Sequence, residues 1–374
     1  METERILQLP RSRWYSCLSS ILYSFITGGI SPSANYVGVW PRDAAFILRS
    51  WLVLGEVERG VKACIKIWKH RITPSSVVVA GRSGNTFIPT ILADIGYKQK
   101  YEGLLPTTIL RGCSEVYGAE PDIDSNALMI SVTCMFLKKL GSRRIAGEVI
   151  PLLEKCAEAL MQFDEDGDAV LEQGPNEDWM DTAYRSGKVL YSNLCWASAL
   201  KALADTHANG RSDYWHDLYR EAIKAIVKTF KLDSEHPIGV VGPKLFRYHV
   251  WQDITLAAEH LDIEPLLPKL GERLKANLGP RVVHPFLPYS NWRSRRWGYY
   301  HNGGFWPWFS SFHALALYRH GYVDEAWQLM EKTIRYCLYE WAEPTRGEVK
   351  GPKPFRTGCA AALYALFNFR EGVN

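Results

Sequence analysis

The chain of 374 residues lacks the features that mark several large classes of protein. It has no run of about 18 uninterrupted apolar residues, as a membrane-spanning helix requires, and its polar N-terminus is not followed by the apolar core of a signal peptide. The formal net charge is only +4, and lysines and arginines are spread along the chain, so the basic stripe of nucleic-acid-binding proteins is missing. We therefore expect a cytoplasmic protein that binds neither membranes nor nucleic acids.

Motifs for metals and nucleotide cofactors are also missing. The ten histidines include no H-E-x-x-H spacing, and no G-x-G-x-x-G or P-loop motif occurs. The eight cysteines include no C-x-x-C pair, and most lie in helix-like apolar patterns, as expected for buried free thiols. The segment 164–168 (DEDGD) resembles the start of a calcium loop, but Ala169 replaces the glycine and Pro175 the glutamate of an EF-hand. A tight acidic turn is favoured there, and no cofactor is expected.

Helical periodicity dominates the pattern that is present. Helical segments are joined alternately by short turns and by long loops rich in Gly, Pro, Trp and Asp, which predicts antiparallel helix pairs with the long loops gathered together. We therefore predict an all-α fold, a single domain over residues 1–374, in which about twelve helices form a closed toroid with the long loops at one mouth. An open solenoid is the alternative, but no repeat of about 34 or 40 residues supports it. The predicted helices span 11–27, 43–56, 57–71, 124–140, 143–163, 191–207, 211–231, 252–261, 264–277, 308–320, 322–341 and 356–370, and short strands are predicted at 75–80, 168–172 and 238–241.

The segment 174–181 (GPNEDWMD) combines three carboxylates with a tryptophan. A carboxylic acid beside a large aromatic ring has its pKa raised by desolvation, so it can stay protonated near neutral pH and donate a proton to a leaving oxygen. The same residue types also describe an ordinary surface turn. The segment therefore predicts a catalytic acid only if partner groups exist elsewhere.

Three further segments combine aromatic and charged residues: 40–43 (WPRD), 300–308 (YHNGGFWPW) and 341–347 (WAEPTRG). Tryptophans on loops expose apolar area unless something stacks on them, and the apolar faces of a sugar ring are suitable partners. The alternative is that the loops fold over their own aromatic cluster. For Arg42 and Asp43 the alternative interpretation is a salt-bridged helix cap, with Asp43 as the N-cap. The tryptophans in or beside these loops and segment 174–181 are Trp40, Trp179, Trp292, Trp297, Trp306, Trp308 and Trp341.

Together these segments resemble those of the (α/α)6-barrel glycoside hydrolases. WPRDAA (40–45) is similar to the segment with which bacterial glucoamylase-type enzymes bind the terminal sugar. The other three, and PDIDS (121–125), look closer to the branch that includes the glucosidase domain of glycogen-debranching enzymes, the neutral/alkaline invertases and the mannosylglycerate hydrolases. The resemblance extends over residues 36–360, although only the motifs are close.

The resemblance implies an inverting, exo-acting hydrolase of an α-linked, glucose-containing saccharide, with Asp181 as general acid and Glu343 as general base. Glu340 and Glu348 lie close enough in the sequence to be alternatives for the base. Glucoamylases use glutamate as the acid, so their substrate preference does not transfer to a chain with aspartate there. The implied partner is a small saccharide or the end of an oligosaccharide, without a cofactor. The implied substrate-binding residues are Trp40, Arg42, Asp43, Trp179, His301, Asn302, Trp306 and Trp341.

Two other functions fit the same toroid. A sugar epimerase or polysaccharide lyase would use histidine or tyrosine as a proton shuttle, and His249, His301 and His313 are the histidines that could supply it. A non-catalytic carbohydrate-binding protein is the second alternative, because one fold hosts many functions.

Overall fold

A computed structural model describes residues 5, 9–36, 38–80, 93–110, 112–206, 210–242, 249–287 and 296–369. Helices provide most of the regular structure in these residues, in agreement with the predicted all-α class. The α-helices are α1 (Arg11–Thr27), α2 (Pro41–Val53), α3 (Val57–Trp68), α4 (Ile123–Leu140), α5 (Arg143–Leu160), α6 (Leu190–Ala204), α7 (Ser212–Phe230), α8 (Leu267–Arg273), α9 (Pro307–Arg319), α10 (Val323–Tyr336) and α11 (Arg356–Asn368), and a long 3-10 helix spans Gln252–Glu259.

Six of these helices form a closed inner ring. Helix α2 packs against α4, α4 against α6, α6 against the 3-10 helix, the 3-10 helix against α9, α9 against α11, and α11 closes the ring on α2. Most residues of α4, α9 and α11 are buried, because these helices are apolar nearly all round. Helices α1, α3, α5, α7 and α10 pack outside the ring. The predicted (α/α)6 toroid is therefore confirmed.

The long loops all lead into the N-termini of ring helices, and short strands lie within them. Strands β1 to β4 form one sheet in the order β2-β1-β4-β3, with β1 parallel to β4 and the other pairs antiparallel. The remaining strands pair antiparallel, as β5-β6-β7, β8-β9 and β10-β11. The strands are β1 (Val78–Ala80), β2 (Ala93–Asp94), β3 (Thr108–Leu110), β4 (Cys113–Val116), β5 (Glu172–Gln173), β6 (Gly187–Val189), β7 (Val240–Val241), β8 (Val250–Trp251), β9 (Val283–His284), β10 (Trp341–Ala342) and β11 (Val349–Lys350).

Some predicted helix boundaries were wrong. Helix α2 begins at Pro41 with Trp40 as its N-cap, so Asp43 lies in the first turn and does not cap the helix; proline suits this position because its fixed φ matches a helix. Helix α10 ends at Tyr336 rather than at 341, which leaves the residues before β10 in a turn. The segment predicted as a helix over 264–277 contains only a 3-10 turn and the short α8. No helix within the described ranges is long and apolar enough to cross a bilayer.

Candidate active site

A cavity lies at the end of the ring where the long loops enter the inner helices. Its walls come from segments that are far apart in the sequence, so that aromatic rings and carboxylates from both ends of the chain meet there. Seven of the ten residues that the sequence predicted for the site line this cavity. The lining residues are Pro32, Tyr36, Trp40, Arg42, Asp43, Phe46, Tyr117, Trp179, Asp181, Tyr300, His301, Trp306, Trp308, Glu340, Phe355 and Thr357.

The three carboxylates of segment 174–181 have three different environments. Glu177 is buried and accepts backbone N–H bonds from Ala119 at 2.8 Å and from Gly174 at 2.5 Å. Burial raises the pKa of Glu177, and these N–H donors oppose the shift. Glu177 lies so close to Gly118 and Gly174 that a Cβ on either would fall within about 2.6 Å of its side-chain atoms. Through these hydrogen bonds Glu177 connects segment 174–181 to the segment that precedes α4.

The second carboxylate, Asp178, belongs to a buried ion-pair network. Arg185 is fully buried, and it donates from Nε to Asp178 and from a terminal nitrogen to Asp253, both at 2.7 Å. The Arg185 guanidinium also lies 5.1 Å from the ring centre of Trp251. Asp178 in turn accepts the backbone N–H of Met180 at 2.7 Å. This network fixes the backbone that leads to the third carboxylate.

The third carboxylate, Asp181, faces the cavity beside His301. The Asp181 Oδ1 atom lies 3.7 Å from His301 Nδ1, and the same nitrogen is 2.8 Å from the hydroxyl of Thr182. The His301 ring stacks on Trp306, with centroids 4.9 Å apart, and meets Trp179 edge-on at 5.1 Å. An aspartate side chain that is 13% exposed among these rings is positioned to exchange a proton with a bound molecule.

Three residues of segment 40–43, Trp40, Arg42 and Asp43, also line the cavity. Arg42 donates to Asp122 at 2.5 Å and to Asp124 at 2.6 Å, so its charge is held by two buried carboxylates. Asp43 accepts a hydrogen bond of 2.5 Å from the hydroxyl of Thr357 in α11. Burial raises the pKa of Asp43, although the bond from Thr357 and the charge of Arg42 oppose this shift. Asp43 is therefore a half-buried hydrogen-bond acceptor in the cavity lining rather than a helix cap.

The structure separates two glutamates that the sequence left as alternatives. Glu340 lines the cavity and accepts a hydrogen bond of 3.0 Å from the hydroxyl of Tyr36. Glu343 lies outside the cavity lining, in the turn between β10 and β11, where its Oε2 accepts the backbone N–H groups of Thr345 and Arg346. The turn therefore holds one oxygen of the Glu343 carboxylate, Oε2, while the Glu340 carboxylate shares a cavity with Asp181.

Two further predicted site residues lie behind the cavity wall. Asn302 is fully buried, and its amide group accepts from Leu287 N at 2.6 Å and donates to Leu287 O at 2.9 Å. Trp341 packs edge-on against Tyr299, with ring centres 4.4 Å apart. Both residues hold the loops that carry His301 and Glu340. Trp292, which the sequence grouped with the loop tryptophans, is outside the described residues.

Several lining residues were not predicted as site residues from the sequence. Tyr36 lies four residues before Trp40, and Thr357 follows the first residue of α11, but neither belongs to a segment that combines several charged and aromatic groups. A usable signal exists for Glu340: Gly351 has a positive φ of 83°, and a Cβ there would collide with the Glu340 side chain. Close approach of a glycine backbone is typical of a carboxylate held in one position.

The acidic segment 164–168 forms the tight turn that was favoured from the sequence. Asp164 accepts the backbone N–H groups of Asp168 at 3.0 Å and Ala169 at 2.9 Å. Lys188 bonds to Asp166 at 2.7 Å and to Asp168 at 2.6 Å. The oxygens of this turn thus accept hydrogen bonds from backbone N–H groups and from Lys188.

Comparison with known proteins gives matches in structure only. No protein-family model matches the chain, and neither does any curated protein. The GH63 mannosylglycerate hydrolase from Thermus thermophilus in complex with glucose matches with a TM-score of 0.67 at 14% identity, over 92% of this chain and 98% of that one. The complex of the same enzyme with Tris and D-glycerate matches with a TM-score of 0.67 at 14% identity, over 94% of this chain and 99% of that one. A glycosidase variant in complex with glucose matches with a TM-score of 0.64 at 12% identity, over 96% of each chain. The chain therefore has the (α/α)6-toroid fold of these glycosidases.

Proposed function

We propose that this protein is an inverting, exo-acting glycoside hydrolase that cleaves an α-linked, glucose-containing saccharide. Asp181 acts as general acid and Glu340 as general base. The observation that carries the proposal is that carboxyl groups from two distant loops share one cavity walled by aromatic rings. Acid and base groups on either side of a bound sugar, with rings to stack on its apolar faces, are what glycoside hydrolysis requires.

Each carboxyl group has a defined part in the reaction. Asp181 donates its proton to the glycosidic oxygen as the bond to the anomeric carbon breaks. Glu340 takes a proton from a water molecule that attacks that carbon from the opposite face. In an inverting enzyme the two carboxyl groups stand about 6.5–9.5 Å apart, which leaves room for this water.

The neighbouring groups support these two assignments. The Tyr36 hydroxyl donates to Glu340, and burial, followed by the charge of Glu340, raises the pKa of Tyr36, which keeps it a donor. A carboxylate that accepts a hydrogen bond is favoured in its ionised form, as a general base must be before it acts. Asp181 has the His301 ring on one side, within an aromatic wall.

The cavity favours a hydrolase over an epimerase or lyase. Of the three histidines that could act as proton shuttles, only His301 lines it. His249 and His313 are buried elsewhere, and burial lowers the pKa of His313 to about 4. Three carboxyl groups and one histidine thus line the cavity, where a pair of histidines would have favoured the other chemistry.

The proposed substrate is a small saccharide or a chain end. The structural neighbours were solved with glucose or with D-glycerate, which are a sugar and a small hydroxy acid. In this chain the cavity is closed on several sides by loops of the ring itself, and its lining includes both Arg42 and Asp43. Paired donors and acceptors of this kind orient sugar hydroxyl groups.

The proposal is tested by following hydrolysis of maltooligosaccharides, trehalose, sucrose and glucosylglycerate by proton NMR. We expect one of these substrates to release β-glucose first, because inversion at an α-linked carbon gives the β-anomer. Asp181→Asn serves as the inactive control. Inversion of trehalose gives one β- and one α-glucose, since the leaving glucose keeps its configuration; initial release of α-glucose without β-glucose would indicate a retaining mechanism. Binding without turnover in either protein would indicate a carbohydrate-binding protein.

A second experiment tests whether Asp43 binds substrate. Asp43→Asn is expected to lower kcat/KM by at least about 10-fold, because the amide cannot accept two hydrogen bonds from sugar hydroxyl groups as the carboxylate can. Stability at pH 7 should stay within about 1 kcal/mol of wild type, since the amide oxygen of asparagine can still accept the hydrogen bond from the Thr357 hydroxyl. Thermal melting and kinetics are measured on the same protein. A destabilised variant with unchanged kcat/KM would assign Asp43 a purely structural part.

A further inference from the structure

Three buried cysteine side chains meet outside the cavity. Cys17 in α1, Cys337 directly after α10, and Cys359 in α11 have sulfur atoms that all lie within 4.8 Å of one another. All three are at most 1% exposed. They come from segments that are distant in the sequence, and the fold alone brings them together.

Within this cluster, Cys17 and Cys337 form the closest pair, with Sγ atoms 2.8 Å apart. Sulfur ligands of one tetrahedral zinc ion would lie about 3.8 Å apart, given Zn–S bonds of about 2.3 Å. A disulfide bond needs about 2.05 Å. The two sulfur atoms are therefore closer than two ligands of one zinc ion, and they need to approach by about 0.75 Å to become covalently bonded.

The sulfur atoms also differ in reactivity. Burial raises the pKa of the Cys17 thiol, and hydrogen bonds to the other two sulfurs raise it further. Cys337 is buried as well, but hydrogen bonds from Cys17 and Cys359 and the charge of Arg13 outweigh burial and lower its pKa to about 5. Because the pKa of Cys337 is lowered and that of Cys17 is raised, the Cys337 sulfur is the one that attacks and the Cys17 sulfur the one that resolves, once an oxidant reaches the buried pair.

We propose that Cys17 and Cys337 are an oxidisable pair that closes to a disulfide bond with hydrogen peroxide as the oxidant. The Cys337 thiolate attacks one peroxide oxygen, the O–O bond breaks, and a sulfenic acid and hydroxide result. The Cys17 sulfur then attacks the sulfenic sulfur, and the S–O bond breaks. The hydroxyl group of the sulfenic acid leaves as hydroxide in this step. The two hydroxide ions take up the two protons of the original thiols and become two water molecules. In sum, two thiols and one peroxide give one disulfide and two waters.

A disulfide bond between Cys17 and Cys337 would connect two parts of the structure. Cys337 lies three residues before Glu340, and the neighbouring Leu338 O accepts a backbone hydrogen bond from Phe355 N, at 2.9 Å, just before α11. A bond from Cys17 would therefore tie the outer helix α1 to the segment that leads into the cavity wall. It would close a loop between residues 320 apart in the sequence, which strongly restricts the unfolded chain.

Tryptic digestion of the alkylated protein tests the proposal directly. The sequence places each of the three cysteines in its own tryptic peptide: 14–42, 336–346 and 357–370. After hydrogen peroxide treatment we expect a cross-linked species of 14–42 and 336–346, lighter than their sum by two hydrogen atoms and lost on adding dithiothreitol. The oxidised protein should melt at least about 5 °C higher than the reduced protein.

Substitutions separate this pair from the other possibilities. Cys359→Ala should still form the cross-link, whereas Cys17→Ala should lose both the cross-link and the rise in melting temperature. Cys64→Ala, which changes a buried thiol of the outer helix α3, is the matched control and should behave as wild type. A cross-link to peptide 357–370, no cross-link in folded wild type, or a stoichiometric metal ion that Cys359→Ala removes would each overturn the proposal.

Discussion

Glu340→Gln is expected to lower kcat by at least about 10²–10⁴-fold, because the amide cannot take a proton from the attacking water. Glu343→Gln is the matched control, two residues beyond Trp341 in the same loop, and it should keep kcat within a few-fold of wild type. The Glu343 carboxylate accepts backbone N–H groups of its own turn, and a glutamine oxygen can still accept from them. Both variants are assayed on the substrate identified by NMR, with melting curves to confirm that each is folded.

Substrates with different leaving groups distinguish the base from the acid. Glucosyl fluoride needs little proton donation to its leaving group, so it should restore much of the rate of Asp181→Asn. The same substrate should not restore Glu340→Gln, which lacks activation of the water. If Glu343→Gln were the inactive variant and Glu340→Gln the active one, Glu343 would be the base, as the sequence motif first suggested.

The sequence pointed to Asp181 as acid and to Glu343 as base, with Glu340 and Glu348 as alternatives. It could not show that Glu340 lines the cavity, and the reason is local geometry. Asp181 stands in a loop whose other carboxylates and tryptophan mark it as unusual. In segment 340–347 the outcome depends on a two-residue strand, β10, followed by a turn. A strand this short has no periodicity from which the direction of a side chain can be read. The turn that captures Glu343 becomes visible only with the backbone in place.

Arg185→Met is expected to destabilise the folded protein by about 3–5 kcal/mol, because it leaves two carboxylates buried without their shared cation. Arg185 is fully buried between Asp178 and Asp253. Arg144→Met is the control, since it removes an exposed pair with Glu148 and should change stability by less than about 1 kcal/mol. Urea unfolding of the three proteins measures both values. Equal stability of the two variants would mean that the network contributes nothing beyond an ordinary surface pair.

The loss of stability that Arg185→Met causes, relative to wild type, should become smaller as the pH falls. Burial raises the pKa of Asp253 in the folded protein, and the charge of Arg185 opposes that shift. Without Arg185 the folded-state pKa rises further above the unfolded value, so the folded state binds more protons than the unfolded state. Stability of the variant relative to wild type should therefore improve between pH 8 and pH 5. A deficit that stays constant over this range would show that Asp253 remains charged in the variant.

The Arg185 network was beyond the reach of the sequence because its partners are distant. Arg185 follows a tyrosine and precedes a serine in a polar stretch, where an exposed side chain is the usual outcome. Its burial depends on Asp253, 68 residues further along. Most of the helices, by contrast, were predictable, because the apolar residues that indicate a helix lie within its own segment; the segment 264–277 was the main exception. Local sequence patterns therefore predict helices well. They do not predict the ion pairs and cavity walls of this protein, because these join segments tens to hundreds of residues apart.

The closure of the ring by α11 on α2 has a consequence for synthesis of the chain. The Thr357–Asp43 hydrogen bond joins residues 314 positions apart. At about 5–20 residues per second, a ribosome needs roughly 15–60 s after making α2 before α11 emerges. During this interval the apolar helices of the inner ring lack their last neighbour, and the cavity lacks Glu340 and Thr357. A nascent chain of this fold is thus exposed to misassembly until α11 emerges, and holdase chaperones that cover apolar helices should bind it during this interval.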